Sequence, residues 1–199
     1  MTPVVKSFFT DLGSEITSLA IQIHGGRGYM KNFYLDQFYR DNRITSIYEG
    51  TNAIQALDLI YRKIGNSKND IIQKFFNLID REIEGVDKHP ELNNLSLVLR
   101  DYLNKMSEFT VWLRNSLKDK VDDARAGASD FQIALGYLSV GYVWLKFLNN
   151  LESGSESYKD KIDTAKFYFS RIITRIDLHY QNAKEGSDLM MNFQFDSLP

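Results

Sequence analysis

Apolar residues recur every three or four positions from Val4 to beyond Ile176, and a single internal proline, Pro90, interrupts them. That spacing places side chains on one face of a helix. A proline inside a helix breaks it, and the other two, Pro3 and Pro199, are terminal. The pattern predicts an all-α chain. Its first stripe is Val4, Val5, Phe8, Phe9, Leu12, Ile16, Leu19, Ala20 and Ile23. Asp11, Ser14, Glu15 and Ser18 are expected on the other, solvated side. Gly25-Gly26-Arg27-Gly28 ends this helix, since glycine takes a positive φ without strain. A second helix is expected over about Asn32 to Arg40, and a mixed stretch from Asp41 to Glu49 follows. Thr51 or Asn52 then caps a helix to about Ile64, closed by Gly65-Asn66-Ser67.

Four longer stripes follow. The first is Ile71, Phe75, Ile79, Ile83 and Val86, broken by Lys88-His89-Pro90. Leu95, Leu99, Tyr102, Met106, Phe109, Leu113 and Leu117 mark a helix of about six turns. Ile133, Tyr137, Val140, Trp144, Phe147 and Leu151 mark another, ended by Glu152-Ser153-Gly154-Ser155. A single helix is expected from Asp160 to Tyr180, and the tail from Gly186 is expected to dock or fray. Gly136 and Gly141 lie where alanine is the better helix former. A glycine there costs ~1 kcal/mol, which predicts close helix–helix approach.

Composition narrows the function classes. The chain has 199 residues, enough for a core. A net charge of −2 gives no basic surplus for nucleic acid. Cysteine is absent, so disulfide and thiolate chemistry are excluded. His24, His89 and His179 are widely spaced, which argues against a histidine metal site. No apolar run is expected to reach the ~20 residues of a membrane span, and no leader is recognisable, so a cytoplasmic location is expected.

The residues suited to chemistry gather between Ile21 and Ile64. Glu49 stands in the turn Tyr48-Glu49-Gly50-Thr51 between two helical segments. In an apolar pocket its carboxyl would be desolvated and become a base near neutrality. A plainer reading pairs it with Arg43 or with free backbone N–H groups of a helix start. Gly25, Gly26 and Gly28 suit either close approach of a phosphate or a simple turn. No strand precedes them, which excludes the dinucleotide fingerprint. Arg40, Asp41 and Arg43 read as a buried ion-pair support or as a solvated surface.

Taken in order, three motifs resemble the C-terminal helical domain of the acyl-CoA dehydrogenases. They are Gln22-x-x-Gly25-Gly26-x-Gly28-Tyr29, Arg40-Asp41-x-Arg43-Ile44, and Ile47-Tyr48-Glu49-Gly50-Thr51-Asn52 with Ile54-Gln55. The likeness spans about Val4 to Ile64. Ala56-Leu57-Asp58-Leu59 and the helices beyond are similar to the longer bacterial members of the methylmercaptopropionyl-CoA dehydrogenase type, which carry an extra C-terminal helical domain.

This resemblance implies an up-and-down helical bundle over residues 1–66 and a second helical domain over 67–199. It implies FAD as cofactor, an acyl-CoA thioester as substrate and an electron-transfer acceptor. Glu49 would be the base that removes the α-proton. Tyr48 would wall the acyl pocket, and Gly50 would let the thioester pass the backbone. Thr51 would contact FAD. Gln22, Gly25 and Gly26 would meet the adenosine–pyrophosphate part of FAD, usually that of a neighbouring subunit. Arg40 and Asp41 would be supports. Ala53 departs from relatives with a polar residue there, so one cofactor contact is not expected. The family's N-terminal helical and β-barrel domains have no counterpart in the sequence. The resemblance therefore implies a fragment that works by self-association or with a companion polypeptide. The alternative from another class is a non-catalytic helical interaction module.

Overall fold

The computed structural model describes residues 1–65, 70–88, 92–152 and 155–193, and among them every regular element is helical. Helix α1 (Thr2–His24) leads through 3₁₀ turns at Gly25–Arg27 and Lys31–Phe33 into α2 (Leu35–Arg43). A further 3₁₀ turn, Ile44–Ser46, precedes α3 (Asn52–Asp58), which runs on as a π-helical stretch, Leu59–Gly65. Then come α4 (Ile71–Glu84), α5 (Asn93–Asp119), α6 (Val121–Ala126) and α7 (Ala128–Asn149). Helix α8 (Glu156–Phe167) continues as a π-helical stretch, Tyr168–Ile172, before α9 (Arg175–Lys184) and the short α10 (Asp188–Met191). The architecture is an all-α, up-and-down bundle. The boundary expected between residues 66 and 67, and the breaks at His89-Pro90 and Ser153-Gly154, fall outside the described residues.

Helix α7 is the centre. It packs against α1, α3, α4, α5, α8 and α9, and one core runs from Val4 and Phe8 through to Ala183. By length and composition alone α7 is apolar enough to cross a membrane, which the sequence reading did not expect, and more than half of its most apolar stretch is buried inside the fold. Of the stripe expected to be its core face, only Tyr137 is buried. Phe131, Ala134, Leu135, Leu138, Leu145 and Leu148 are buried, whereas Val140 and Trp144 are only half-buried and Phe147 is exposed. Because α7 is apolar nearly all round, spacing alone could not choose its buried side.

Other corrections have equally local causes. In α4 the buried set is Ile72, Phe76, Ile79 and Ile83, one position off the expected Ile71 and Phe75. The pairs Ile71-Ile72 and Phe75-Phe76 offered two nearly equivalent stripes. The single helix expected from Asp160 to Tyr180 is interrupted at the π-helical stretch, and Ile173 and Thr174 separate it from α9. Helix α6 was not expected at all, being only six residues long. Leu189, Met190 and Met191 of α10 are exposed, so the tail does not bury them.

Two glycines make the close approaches their positions predict. A Cβ on Gly136 would lie 2.3 Å from Cδ2 of Phe8, so the missing side chain is the notch that seats α1 on α7. A Cβ on Gly141 would meet Leu99 and Ile173, each at 3.0 Å. Seating a phenylalanine contributes about 1.5–3 kcal/mol, more than the ~1 kcal/mol a helical glycine costs. Two polar links reinforce α1. Gln132 Nε2 donates to the Pro3 carbonyl at 3.0 Å, and Arg175 makes a two-pronged bond to Glu15 at 2.7 and 2.9 Å.

Helix α1 turns its polar side inward. Ser7 is 1% exposed. Asn42 donates to the Thr10 carbonyl at 3.2 Å and to Ser14 Oγ at 2.8 Å, joining α2 to α1. A Cβ on Gly13 would lie 2.5 Å from Asn42 Oδ1, so this glycine also serves packing. Of the apolar stripe, Val4 and Phe8 are buried, while Val5, Phe9, Ile16, Leu19 and Ile23 are exposed.

Two outcomes test this account. Gly136→Ala forces Phe8 to move, at an overpacking cost of about 1–3 kcal/mol, and a net loss in urea-unfolding free energy is expected. Arg175 holds the Glu15 carboxyl below its ordinary 4.5, chiefly by hydrogen bonding. A lowered folded-state pKa stabilises above the unfolded value and is lost as pH falls through the folded one. The difference in urea midpoint between wild type and Glu15→Gln should therefore be constant above pH 4.5 and shrink below it.

Candidate functional site

The turn between α2 and α3 is built by a change of backbone hand. Ile47 N–H closes the preceding 3₁₀ turn on the Ile44 carbonyl at 3.0 Å, and Tyr48 N–H reaches the same carbonyl at 3.1 Å. Glu49 then takes φ +55° and Gly50 φ +83°. Two consecutive left-handed residues reverse the chain, and Thr51, at φ −60° and ψ 160°, returns it to the extended region as the cap of α3. Its Oγ1 accepts from Ile54 N–H at 3.5 Å, so Thr51 rather than Asn52 is the cap. For Gly50 the backbone sets the requirement, because a Cβ there would make only ordinary contacts at 3.4 Å and beyond. For Glu49 the same conformation costs an L-residue roughly 1–2 kcal/mol.

Side chains from two helices grip this turn. Gln55 Nε2 donates to the Glu49 carbonyl at 2.9 Å. Lys6 Nζ donates to the Gly50 carbonyl at 2.8 Å and to Asn52 Oδ1 at 2.7 Å. Asn52 Nδ2 donates to Asp11 Oδ1 at 2.6 Å and to Thr10 Oγ1 at 3.0 Å. The sequence reading did not single out Lys6, and it gave Asn52 no part beyond a possible cap and a place in the third motif. Both act across more than forty residues, where no local spacing rule applies.

The Glu49 carboxylate makes no hydrogen bond or ion pair among the described residues, and it is exposed. The pairing with Arg43 that the sequence allowed does not occur, since Arg43 donates to Ser46 Oγ. Arg40 and Asp41 are exposed and form no ion pair among the described residues, so the solvated reading holds and the buried-support reading does not. Tyr48 is exposed beside Glu49. A cavity of about 560 Å³ lies elsewhere, between the start of α1 and α7, lined by Val5, Phe9, Val140, Trp144 and Phe147 among others.

Gln22, Gly25 and Gly26 form a second, separate group at the far end of α1. The Gly25 N–H caps the helix on the Gln22 carbonyl, with Gly25 at φ +58°. Gly28 is the packing glycine, because a Cβ there would meet the Ile21 carbonyl at 2.6 Å. Gly26 has neither a positive φ nor a neighbour within 4 Å of an added Cβ. Lys6, which grips the Glu49 turn, and Gly25 are nineteen residues apart along α1, about 28 Å at ~1.5 Å per residue. One chain thus brings Tyr48, Glu49, Gly50 and Thr51 together and keeps Gln22, Gly25 and Gly26 away from them.

If the left-handed backbone at Glu49 is held against its own preference, Glu49→Gly should relieve it. A gain of about 1 kcal/mol is expected, read from urea unfolding, with Glu49→Gln near neutral.

Residues 1–64 match the family model for the acyl-CoA dehydrogenase C-terminal domain, and residues 71–194 match the model described as acetyl-CoA dehydrogenase C-terminal like. The chain is similar to 3-methylmercaptopropionyl-CoA dehydrogenase of Ruegeria pomeroyi, with 30% identity over 96% of this chain and 34% of that protein. It is similar to the broad-specificity linear acyl-CoA dehydrogenase FadE5 of Mycobacterium tuberculosis, with 26% identity over 84% of this chain and 30% of that protein. Over 27% of this chain and 14% of the relative, it is 41% identical to the caffeyl-CoA reductase-Etf complex subunit CarC of Acetobacterium woodii. The chain spans about a third of the length of the first two relatives. With most of its length covered by one family model and nearly all the remainder by the other, the chain belongs to the acyl-CoA dehydrogenase family, whose C-terminal helical parts it carries.

Proposed function

We propose that this chain supplies the catalytic carboxylate of an FAD-dependent acyl-CoA dehydrogenase, with Glu49 as the base. The observation that carries the reading is the Glu49 turn: a costly backbone hand, two gripped carbonyls, and a carboxylate the fold does not use. A group placed this way can be aligned with a bound thioester in advance, which is a large part of what a positioned base contributes. The Glu49 carboxylate takes the proton as the Cα–H bond of the acyl group breaks, and the electron pair left behind forms the Cα=Cβ double bond. FAD, when bound, supplies the acceptor for the hydride that leaves Cβ.

Residues present here suit that cofactor. Gly26 is free of any packing or backbone demand, and open space above it admits close approach of a ligand. Thr51 is exposed at the start of α3. The separation of these two groups along α1 supports assigning them to different FAD molecules, one met by each end of the helix, which requires a second copy of the chain. The exposed stripe of α1 supports further association. The exposed Val5, Phe9, Ile16, Leu19 and Ile23, with the half-buried Leu12 among them, follow steps of four, three, four, three and four, the spacing of a helix–helix seam. Glu49 faces solvent in this chain, so the pocket that shields the thioester is completed by the rest of the family fold, on a longer chain or a companion polypeptide. The relative named as part of an Etf complex supports an electron-transfer flavoprotein as acceptor. The division into 1–66 and 67–199 belongs to the same proposal, as two units sharing one core.

Exposure of Glu49 and of the α1 stripe also favours a second reading, a helical interaction module without catalysis. Reconstitution with the preceding domains separates the two. The catalytic reading expects a yellow complex that reduces an electron acceptor with acyl-CoA. Glu49→Gln should keep the flavin absorbance and lose roughly 10²–10⁴-fold in kcat. A colourless complex, or unchanged turnover in Glu49→Gln, would leave the module reading.

A further inference from the structure

We infer that Lys6 is a positioning residue for Glu49, an inference that rests on the catalytic reading of Glu49 for its functional half. Residues in sparsely populated backbone regions persist only where their surroundings over-determine them. At this turn there are two such residues in succession, Glu49 at φ +55° and Gly50 at φ +83°. Gln55 holds the first carbonyl from α3, and Lys6 holds the second from α1.

Lys6 does more than cap a carbonyl. Its ammonium bonds the Gly50 carbonyl at 2.8 Å and Asn52 Oδ1 at 2.7 Å, so one cation ties together the residues on both sides of Thr51. A hydrogen bond from a charged donor is shorter and stronger than a neutral one. Asn52 passes the restraint back to α1 through Asp11 and Thr10. Lys6 itself is half-buried. It sits one turn before Thr10 and beside Ser7, the most deeply buried polar residue of α1.

Helix α1 is in turn fixed from the far side of the molecule. Phe8 fills the notch at Gly136, Gln132 holds the Pro3 carbonyl, and Arg175 holds Glu15. A continuous chain of packed and bonded groups therefore runs from α7 and α9, through α1 and Lys6, to the backbone of the residue next to Glu49. On this account the additional helical region orients the carboxylate without touching it, and Lys6 is the link through which it does so.

Nuclear magnetic resonance on the full chain tests the structural half. A positive φ gives a strong intra-residue amide–Hα cross-relaxation signal. It should be present at Glu49 in wild type, lost in Lys6→Met and retained in Lys6→Arg, with the signals of α5 and α7 unchanged. Persistence of that signal in Lys6→Met would overturn the inference. A measurement on the wild type needs no variant: bonded Lys6 ammonium protons exchange slowly with solvent, and fast exchange there also overturns it.

The functional half is read in the reconstituted flavin complex. Lys6→Met should lower kcat on the order of 100-fold, the scale for misplacing a reacting group by about 1 Å, with KM for the acyl-CoA unchanged. Lys6→Arg should recover most of the loss. A loss confined to KM overturns the positioning role. A wild-type complex that never turns over refutes the catalytic reading instead, while the resonance experiment still decides whether Lys6 holds the turn.

Discussion

The contact between Phe8 and Gly136 is the one on which the rest depends. Everything suited to chemistry hangs from α1: the glycine group at its end, and the Glu49 turn gripped from its first third. Helix α1 has few other apolar anchors, since only Val4 and Phe8 of its stripe are buried. Phe8 can lie flat on α7 because residue 136 has no side chain to hold it off. Tyr137 meets the same ring edge-on, with centroids 4.9 Å apart. That tyrosine's hydroxyl accepts from Arg175, the residue that holds Glu15. Apolar seating and ion pair are thus neighbouring parts of one joint between the segments matched by the two family models.

That joint explains why α1 can afford an inverted surface. A helix packed by its apolar face would leave Ser7, Thr10 and Ser14 to water. Here they face α2 and α3 and are hydrogen-bonded, so the polar side is a helix–helix interface specified by bond geometry rather than by area. Buried polar groups are tolerated when every partner is present, and among the described residues no buried side-chain polar atom lacks one. The apolar side is left open as a seam about 27 Å long at ~1.5 Å per residue. An exposed stripe of that extent is a surface for association.

The fold class was legible because helical periodicity survives almost anywhere it is sampled. Which face is buried was less legible, for a reason visible in particular residues. Ile71-Ile72 and Phe75-Phe76 satisfy the spacing in either register, and α7 satisfies it in nearly every direction. For α1 the rule pointed to the correct stripe and the wrong consequence, since hydrophobicity says that a face wants cover but not that this chain supplies it. The turn at Glu49 was legible from Gly50 and Thr51, whose types demand a reversal followed by a cap. Its supports were not. Lys6 to Gly50 spans 44 residues and Arg175 to Glu15 spans 160. A lysine on a helix carries no local mark of the carbonyl it will reach.

Among the described residues three that are not glycine have a positive φ: Tyr34, Glu49 and Asp70. Asp70 is accounted for by the fold, because its carboxylate caps α4 and pairs with Arg114 at 2.6 Å. Tyr34 ends the 3₁₀ turn Lys31–Phe33, its N–H on the Lys31 carbonyl, and leads into α2. Glu49 differs from Asp70 in that its side chain contributes nothing to holding the chain together. Stability alone would place glycine there, as it does at the next position, where the backbone makes the same demand. Three helices' worth of packing and bonding instead keeps a carboxylate in a conformation that costs free energy. Strain of this kind points to function when the strained residue is observed first and the role inferred afterwards. At Glu49 the strain stands beside a role that the sequence motifs already suggest, so the two are independent supports for one assignment.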